Sequence, residues 1–405
     1  MPVCRACHGD NLYPFLSLGQ MPLANNFLRY DQLGTPEPCY PLDVYFCGAC
    51  GLVQLDYTVP RESMFTEYAY LTGASKPLLT HFAGLAQEII RDFNIPRGSF
   101  IIDIGSNDGT LLSSFKESGM NVQGIEPALN VSRLALTRGI DTVNGFFDSR
   151  LARQIASDRG KAHVITATNV FAHVPSMDGF LHGITNLLDE NGIFVIEVPY
   201  LADLLAKLEF DTIYHEHLAY FSLRPLSHLL DRFNLVIISV KRVAVHGGSL
   251  RVYVTNSVNF RSTSASDLIR EEHEQKLGSL DTYLEFARRV SQIRDDLTAL
   301  VRALKKSGAR IAGYGAPAKG NVLLNYCQLG TDILDYITDT TPFKQGMYTP
   351  GIHVPVFPES HFHRNPPDYA LLLAWNYFDD ILEKEALYRS TGGRFIIPVP
   401  EPQII

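Results

Sequence analysis

With 405 residues and 46% hydrophobic side chains, the chain is too long for one ordinary core, and its length implies two or three domains. A net charge of −8 leaves no global basic field to hold a polyanion, which sets nucleic acid aside as a partner. The opening "MPVCRACHGD" lacks the basic start and apolar run of a signal peptide. No window approaches the roughly 18 to 20 apolar residues of a membrane span, so the expectation is a cytoplasmic enzyme with no membrane partner.

Residues 1–65 carry five of the six cysteines: Cys4, Cys7, Cys39, Cys47 and Cys50. In a reducing compartment this crowding favours metal over disulfides. Cys4 and Cys7 form one C-x-x-C pair, and Cys47 and Cys50 another, in the turn of a strand pair around "LDVYFCGACGLVQLDY". Four thiolates suit tetrahedral zinc, and a closed four-sulfur site has no open position for water, so its role is structural. Cys39 is left over.

From about residue 80 to 260 short apolar strands alternate with helices: 99–105, 121–127, 141–145, 163–169, 192–198, 235–240 and 249–256. Such intervals imply βα units in a mostly parallel sheet, with the last two strands as a meander at one edge. A long amphipathic helix follows, with Phe286, Val290, Ile293, Leu297, Leu300, Val301 and Leu304 at helical spacing and Gly308 past its end. A second βα series then runs through 309–315, a helix near 319–328, 333–339, 369–375 and a closing "RFIIPVP".

The stretch "IIDIGSNDGTLL" is a strand entering a glycine-rich turn and a helix. Asp103 ends the strand, and Gly105 and Gly109 let the backbone approach a ligand across Ser106, Asn107 and Asp108. The third glycine spacing of a dinucleotide fingerprint is absent. The pattern resembles the first motif of class I S-adenosylmethionine (SAM) methyltransferases. About 20 residues on, "GIEP" places Glu126, before Pro127, where an acid takes both ribose hydroxyls. After the third and fourth strands, Phe147, Asn169 and His173 stand where that fold lines adenine and the methyl donor.

In the second series, "GYGAPAKGN" (Gly315, Lys319, Asn321) makes a strand-to-helix turn able to cradle phosphate, and Asp339 and Lys344 fall near the same sheet edge.

Between the two lies "YHEHLAYFS", which packs Tyr214, His215, Glu216, His217 and Tyr220 into one short stretch. A zinc helix is excluded because the i, i+4 histidine pair is missing. Adjacent side chains on an extended segment point to opposite faces, so Glu216 and His217 share a face only if a turn brings them together.

The whole order of parts resembles the sugar C-methyltransferases of bacterial deoxysugar pathways, a family that includes the tetronitrose carbon-3 methyltransferase: two zinc knuckles, "DIGSNDGTLL", "GIEP", "YxEHxxYFS", "HGGSLRVY" and a late "GYGAPAKGN". The resemblance implies a zinc-binding domain over 1–65, a SAM methyltransferase domain over 66–260, and a C-terminal α/β domain over 261–405 that contacts the nucleotide. It implies SAM as cofactor and, as substrate, a nucleotide diphosphate linked to a 4-keto-6-deoxyhexose. The active-site segment maps onto Tyr214, Glu216 and His217, with His173 and Tyr68 or Tyr70 as further groups. Tyr220, His246, Ser249 and Arg251 join the substrate side, and the three-part layout is compatible with a monomer.

Methyl transfer to carbon requires a carbanion, which a carbon beside a ketone provides as an enolate. Histidine suits the base because its pKa lies near operating pH, which assigns proton abstraction to His217 and oxyanion or hydroxyl contacts to the tyrosines. An O- or N-methyltransferase, or a non-catalytic scaffold, are the alternative readings.

Overall fold

The computed structural model describes residues 2–66, 68, 71–74, 76–257 and 263–405. Strands β1 (Leu12–Pro22), β2 (Cys39–Cys47) and β3 (Val53–Leu55) form an antiparallel ladder. The second cysteine pair sits in the turn between β2 and β3, as the sequence predicts.

Next in the chain come β4 (Phe100–Ile104), β5 (Asn121–Glu126), β6 (Thr142–Asn144), β7 (Ala162–Thr168), β8 (Leu188–Pro199), β9 (Ala219–Tyr220), β10 (Val236–Val243) and β11 (Ser249–Thr255). Seven of them make one sheet in the order β10-β11-β8-β7-β4-β5-β6, with β4 to β8 parallel and β10 and β11 antiparallel. Helices cover both faces, so the central strands are apolar along their length; all five residues of β4 are buried. The last two strands pair antiparallel with each other at one edge of the sheet, as the sequence implies. All seven residues of β11 are buried and take the inner place beside β8, whereas β10, carrying Lys241 and Arg242, is left at the edge. A charged strand tolerates an edge better than an apolar one.

The strand β9 belongs to neither the central sheet nor its neighbours in sequence. It completes the N-terminal ladder, pairing Val53 with Tyr220 and Gln54 with Ala219. The "YHEHLAYFS" stretch is thereby stitched to the cysteine-bearing region.

The helix Leu280–Lys306 buries Phe286, Val290, Ile293, Leu297 and Val301, as its periodicity predicts. Its Tyr283 packs on Phe15 and Phe46 of the first sheet, with ring centroids 5.1 and 4.6 Å apart. The same apolar core continues into the C-terminal sheet. Each fully buried large side chain of this kind contributes roughly 1.5–3 kcal/mol.

That sheet comprises β12 (Ile311–Tyr314), β13 (Ile337–Thr338), β14 (Val356–Phe357), β15 (Tyr369–Leu372), β16 (Arg394–Ile397) and β17 (Gln403–Ile404), ordered β14-β13-β12-β15-β16-β17. All pairs are parallel except β16 with β17. Strand order reverses between β12 and β15, which opens a crevice at their carboxyl ends. Among the described residues no helix is long and apolar enough to cross a membrane.

Candidate active site

Four thiols converge from the two knuckles: the sulfur atoms of Cys4, Cys7, Cys47 and Cys50 all lie within 4.8 Å of one another, with Cys4–Cys50 at 3.5 Å and Cys7–Cys47 at 3.7 Å. Four sulfurs at about 2.3 Å from one zinc ion in a tetrahedron stand roughly 3.8 Å apart, so the set fits the ion. Gln54 of β3 ties the first knuckle down, its amide donating to the Val3 carbonyl at 3.1 Å and its oxygen accepting from Arg5 N–H at 2.8 Å.

The crevice expected to take SAM lies at the carboxyl ends of β4, β5 and β7. Gly105 has φ +67°, and a Cβ there would come within 2.4 Å of the Val170 side chain, so only glycine passes this turn. Gly109, at φ +77°, caps the following helix, and Asn107 also adopts a left-handed conformation. Glu126 accepts from the backbone N–H of Asn107 at 2.9 Å and of Ala128 at 2.8 Å, locking the end of β5 against the glycine turn. Pro127 is held through its carbonyl by Asn144. Asp103 is buried and bonded to the Thr166 hydroxyl at 2.6 Å; burial, with Glu126 nearby, pushes its carboxyl up to about 7. Ser106 Oγ is buried against Gly124 of β5 with no hydrogen-bond partner among the described residues. Phe147 packs edge-on against Phe180, and Asn169, left-handed at φ +57°, donates its N–H to the Glu197 carbonyl at 2.7 Å. Asp108 is clamped by Thr110, Arg138 and the Gly73 N–H, while Asn107 accepts from the Thr72 N–H.

Beside this crevice the residues of "YHEHLAYFS" diverge. His217 N–H donates to the Tyr214 carbonyl at 2.9 Å, so Tyr214–His217 is a turn rather than an extended run. His215 goes toward β2, its Nε2–H donating to the Tyr40 carbonyl at 3.3 Å. Glu216 is buried; one oxygen accepts from Asn25 Nδ2 at 2.6 Å and the other from the Tyr68 hydroxyl at 3.1 Å. Burial outweighs those two bonds and raises its carboxyl to about 7.

His217 stands in an aromatic cage, with ring centroids 4.2 Å from Tyr214, 5.0 Å from His173 and 6.3 Å from Tyr220. Its Nδ1 lies 2.8 Å from the Thr212 carbonyl oxygen. A carbonyl only accepts, so Nδ1 carries the hydrogen and Nε2 bears the lone pair of the neutral ring. His173 is held neutral, its pKa pushed well below the usual histidine value by burial and by the neighbouring His217.

Other expected residues lie elsewhere. Arg251 pairs its guanidinium with Glu197 at 2.7 Å and Glu88 at 3.4 Å, beside His81, so its partners are not those of the His217 cluster. Ser249 bonds the Val245 carbonyl. Tyr70 lies outside the described residues, as does the side chain of His246. In the C-terminal crevice Gly315 (φ +83°) packs against Ala374, Lys319 lies over the Trp375 ring at 4.0 Å, and Lys344 bonds the Ala316 carbonyl at 2.8 Å. The Asp339 carboxylate accepts from the backbone N–H groups of Ala316 and Thr341, and Asn321 reaches back to the Ala24 carbonyl, next to Asn25. Asn25 and Thr212 escaped the sequence reading because an isolated asparagine and a backbone carbonyl carry no motif.

Comparison with known proteins agrees with this layout. A zinc binding domain model matches residues 4–65, a methyltransferase domain model 79–240, and a C-methyltransferase C-terminal domain model 244–400. C-methyltransferase NovU of Streptomyces niveus is 35% identical over 404 residues, covering 99% of this chain and 96% of that protein. Solved structures are more distant: a SAM-dependent methyltransferase of Clostridium acetobutylicum ATCC 824 (12% identity, TM-score 0.36, 44% of this chain and 92% of that one) and the SAM-bound magnesium protoporphyrin IX methyltransferase of Synechocystis PCC 6803 (14%, 0.33, 44% and 78%). Likenesses at that level carry no weight for function. With a zinc-binding N-terminal region, a class I SAM core and a relative matched over nearly its full length, the chain belongs to the SAM-dependent C-methyltransferase family.

Proposed function

We propose that the protein moves the methyl group of SAM to a sugar carbon next to the 4-ketone of a nucleotide-linked 4-keto-6-deoxyhexose, at carbon 3, through an enolate. The observation that supports this most is the His217 cluster. A histidine whose Nε2 bears the lone pair stands in one turn with a buried, tyrosine-bonded carboxyl group, beside the SAM crevice.

In this reading His217 Nε2 takes the α-proton, and SAM, held along Asp103, Gly105–Gly109 and Glu126, supplies an electrophilic methyl. The Tyr214 hydroxyl steadies the charge growing on the ketone oxygen, the Tyr68 O–H being given to Glu216. Base catalysis of this type is worth about 10²–10⁴-fold, and one oxyanion donor roughly 10²–10³-fold. Glu216, with a carboxyl near neutrality, holds Tyr68 in place and offers a sugar hydroxyl a partner. An O- or N-methyltransferase needs only one base near its acceptor, and it gains nothing from an acid–tyrosine pair beside that base. The C-terminal crevice, with Lys319 and Lys344, is the proposed seat of the nucleotide diphosphate.

The test is incubation with ¹³C-methyl SAM and a panel of nucleotide-linked 4-keto-6-deoxysugars, followed by NMR of the product. A new methyl on quaternary carbon 3 supports the reading. A methyl on carbon 5, the other carbon flanking the ketone, corrects the position, and one on oxygen or nitrogen overturns it.

A further inference from the structure

The base His217 owes its tautomer to one backbone carbonyl, that of Thr212. What holds that carbonyl lies outside the cluster. Thr212 ends a short 3-10 turn, Phe210–Thr212, in which the Ile213 N–H donates to the Phe210 carbonyl at 3.0 Å and the Thr212 hydroxyl to that of Glu209 at 2.7 Å. The turn packs on the helix Ala318–Cys327, with the Phe210 ring 5.5 Å from that of Tyr326. In its middle is Asp211, whose carboxylate is fully buried.

One oxygen of Asp211 accepts from the indole N–H of Trp375 at 2.6 Å. Trp375 is the only tryptophan in the chain, and it follows β15 at the crevice where the C-terminal sheet reverses its strand order. Its ring carries the Lys319 ammonium at 4.0 Å, and Lys319 follows β12 on the other side of that crevice. The Asp211 and Glu209 carboxylates both act on this lysine, favouring its charged form against burial. A buried carboxylate is costly unless its bonds are needed, and among the described residues of the zinc-bearing region and the glycine-turn crevice none bonds Asp211.

We infer that Asp211 is a positioning residue for the base: bonded to Trp375, whose ring carries Lys319 in the C-terminal crevice, it fixes the 3-10 turn whose Thr212 carbonyl orients His217. The inference rests on the reading of His217 as the proton-abstracting base. It joins the crevice proposed for the nucleotide to the group proposed to start the chemistry, through two hydrogen bonds and one residue step of backbone.

The test is exchange of the substrate's α-carbon hydrogens in D₂O, without SAM, using thymidine diphosphate 4-keto-6-deoxyglucose as the probe. Trp375→Phe keeps a ring under Lys319 but removes the N–H; Asp211→Ala removes the acceptor. Both are expected to slow exchange about 10- to 100-fold, the scale of a small misplacement of a reacting group, with SAM affinity unchanged. Asp211→Asn still accepts the indole N–H and is expected to retain most of the rate. Because a donor bond from Nδ1 to a carbonyl favours the imidazolium, the acid limb of the exchange profile moves to lower pH in Trp375→Phe. A merely structural role would lower the melting temperature and leave that limb where it is. Trp375→Phe exchanging at the wild-type rate, with an unmoved limb, overturns the inference alone. Wild-type protein that exchanges no α-hydrogen overturns the reading of His217 and this inference with it.

Discussion

The cofactor crevice and the His217 cluster lie side by side yet are built in opposite ways. Apart from the Thr72 and Gly73 amides, the groups around the crevice turn, from Asp103 to Asn169, come from consecutive βα units of one parallel sheet, and backbone amides do much of the holding, as in Glu126 with Asn107 and Ala128. The cluster draws Asn25 from the N-terminal region, Tyr68 from the segment after it, His173 from the end of β7, and Tyr214 to Tyr220 from a turn stitched onto the first sheet by β9. A site drawn from one sheet survives damage elsewhere. A convergent site depends on every part that brings its pieces together.

The largest effect that separates the two comes from the zinc knuckles. Cys47 ends β2, and β3, pairing with β9 on one side and β2 on the other, links the thiol cluster to Tyr220 beside His217. Structural zinc contributes on the order of 10–16 kcal/mol of apparent binding energy in small zinc-finger peptides. The variant Cys47→Ser is expected to lose the metal, measured by elemental analysis, and to lose transferase activity almost completely. SAM binding by calorimetry is expected to stay within a few-fold, because the crevice uses none of these residues. Loss of SAM binding together with activity would show that the two sites are one folding unit.

A smaller and more local break is His217→Asn. If Nε2 removes the proton, α-hydrogen exchange and methyl transfer both fall by about 10²–10⁴-fold, while the SAM dissociation constant is unchanged. Exchange retained in this variant would move the base to another member of the cluster.

How much of each site the sequence revealed follows the same division. "DIGSNDG" and "GIEP" are readable because strand, turn and helix succeed one another along the chain, and a glycine that must adopt φ +67° against Val170 leaves its mark at one position. The strand alternation likewise foretells both parallel sheets, and the C-x-x-C pairs foretell the thiol cluster. The turn at Tyr214–His217 was not readable, since its residues are neither turn formers nor clear strand formers and their course is fixed by β9 pairing with β3, some 165 residues away in sequence. Asn25 and Asp211 act through partners about 191 and 164 residues distant, a separation that no local pattern encodes. The edge meander of β10 and β11 was readable, but which of the two is inner was left open, because adjacent strands do not specify it and burial decides it.

The smallest expected effect is on stability, and it belongs to the cluster. Glu216 is buried, and its carboxyl is raised to about 7 from an ordinary value near 4.5, mainly by that burial. Between those two values the folded protein holds a proton that the unfolded chain has released. Stability therefore falls as pH rises from about 4.5 to about 7 and levels off above, by at most on the order of 3 kcal/mol from this group. Glu216→Gln stays neutral at every pH and still accepts from Tyr68, so it loses that dependence. Its melting temperature relative to wild type is expected to rise between pH 5 and pH 8, while SAM affinity stays the same at both. An unchanged difference across that range would mean that Glu216 is ionised in the folded protein, and its place would then be to pair with a cation or a protonated imidazole rather than to hold a tyrosine.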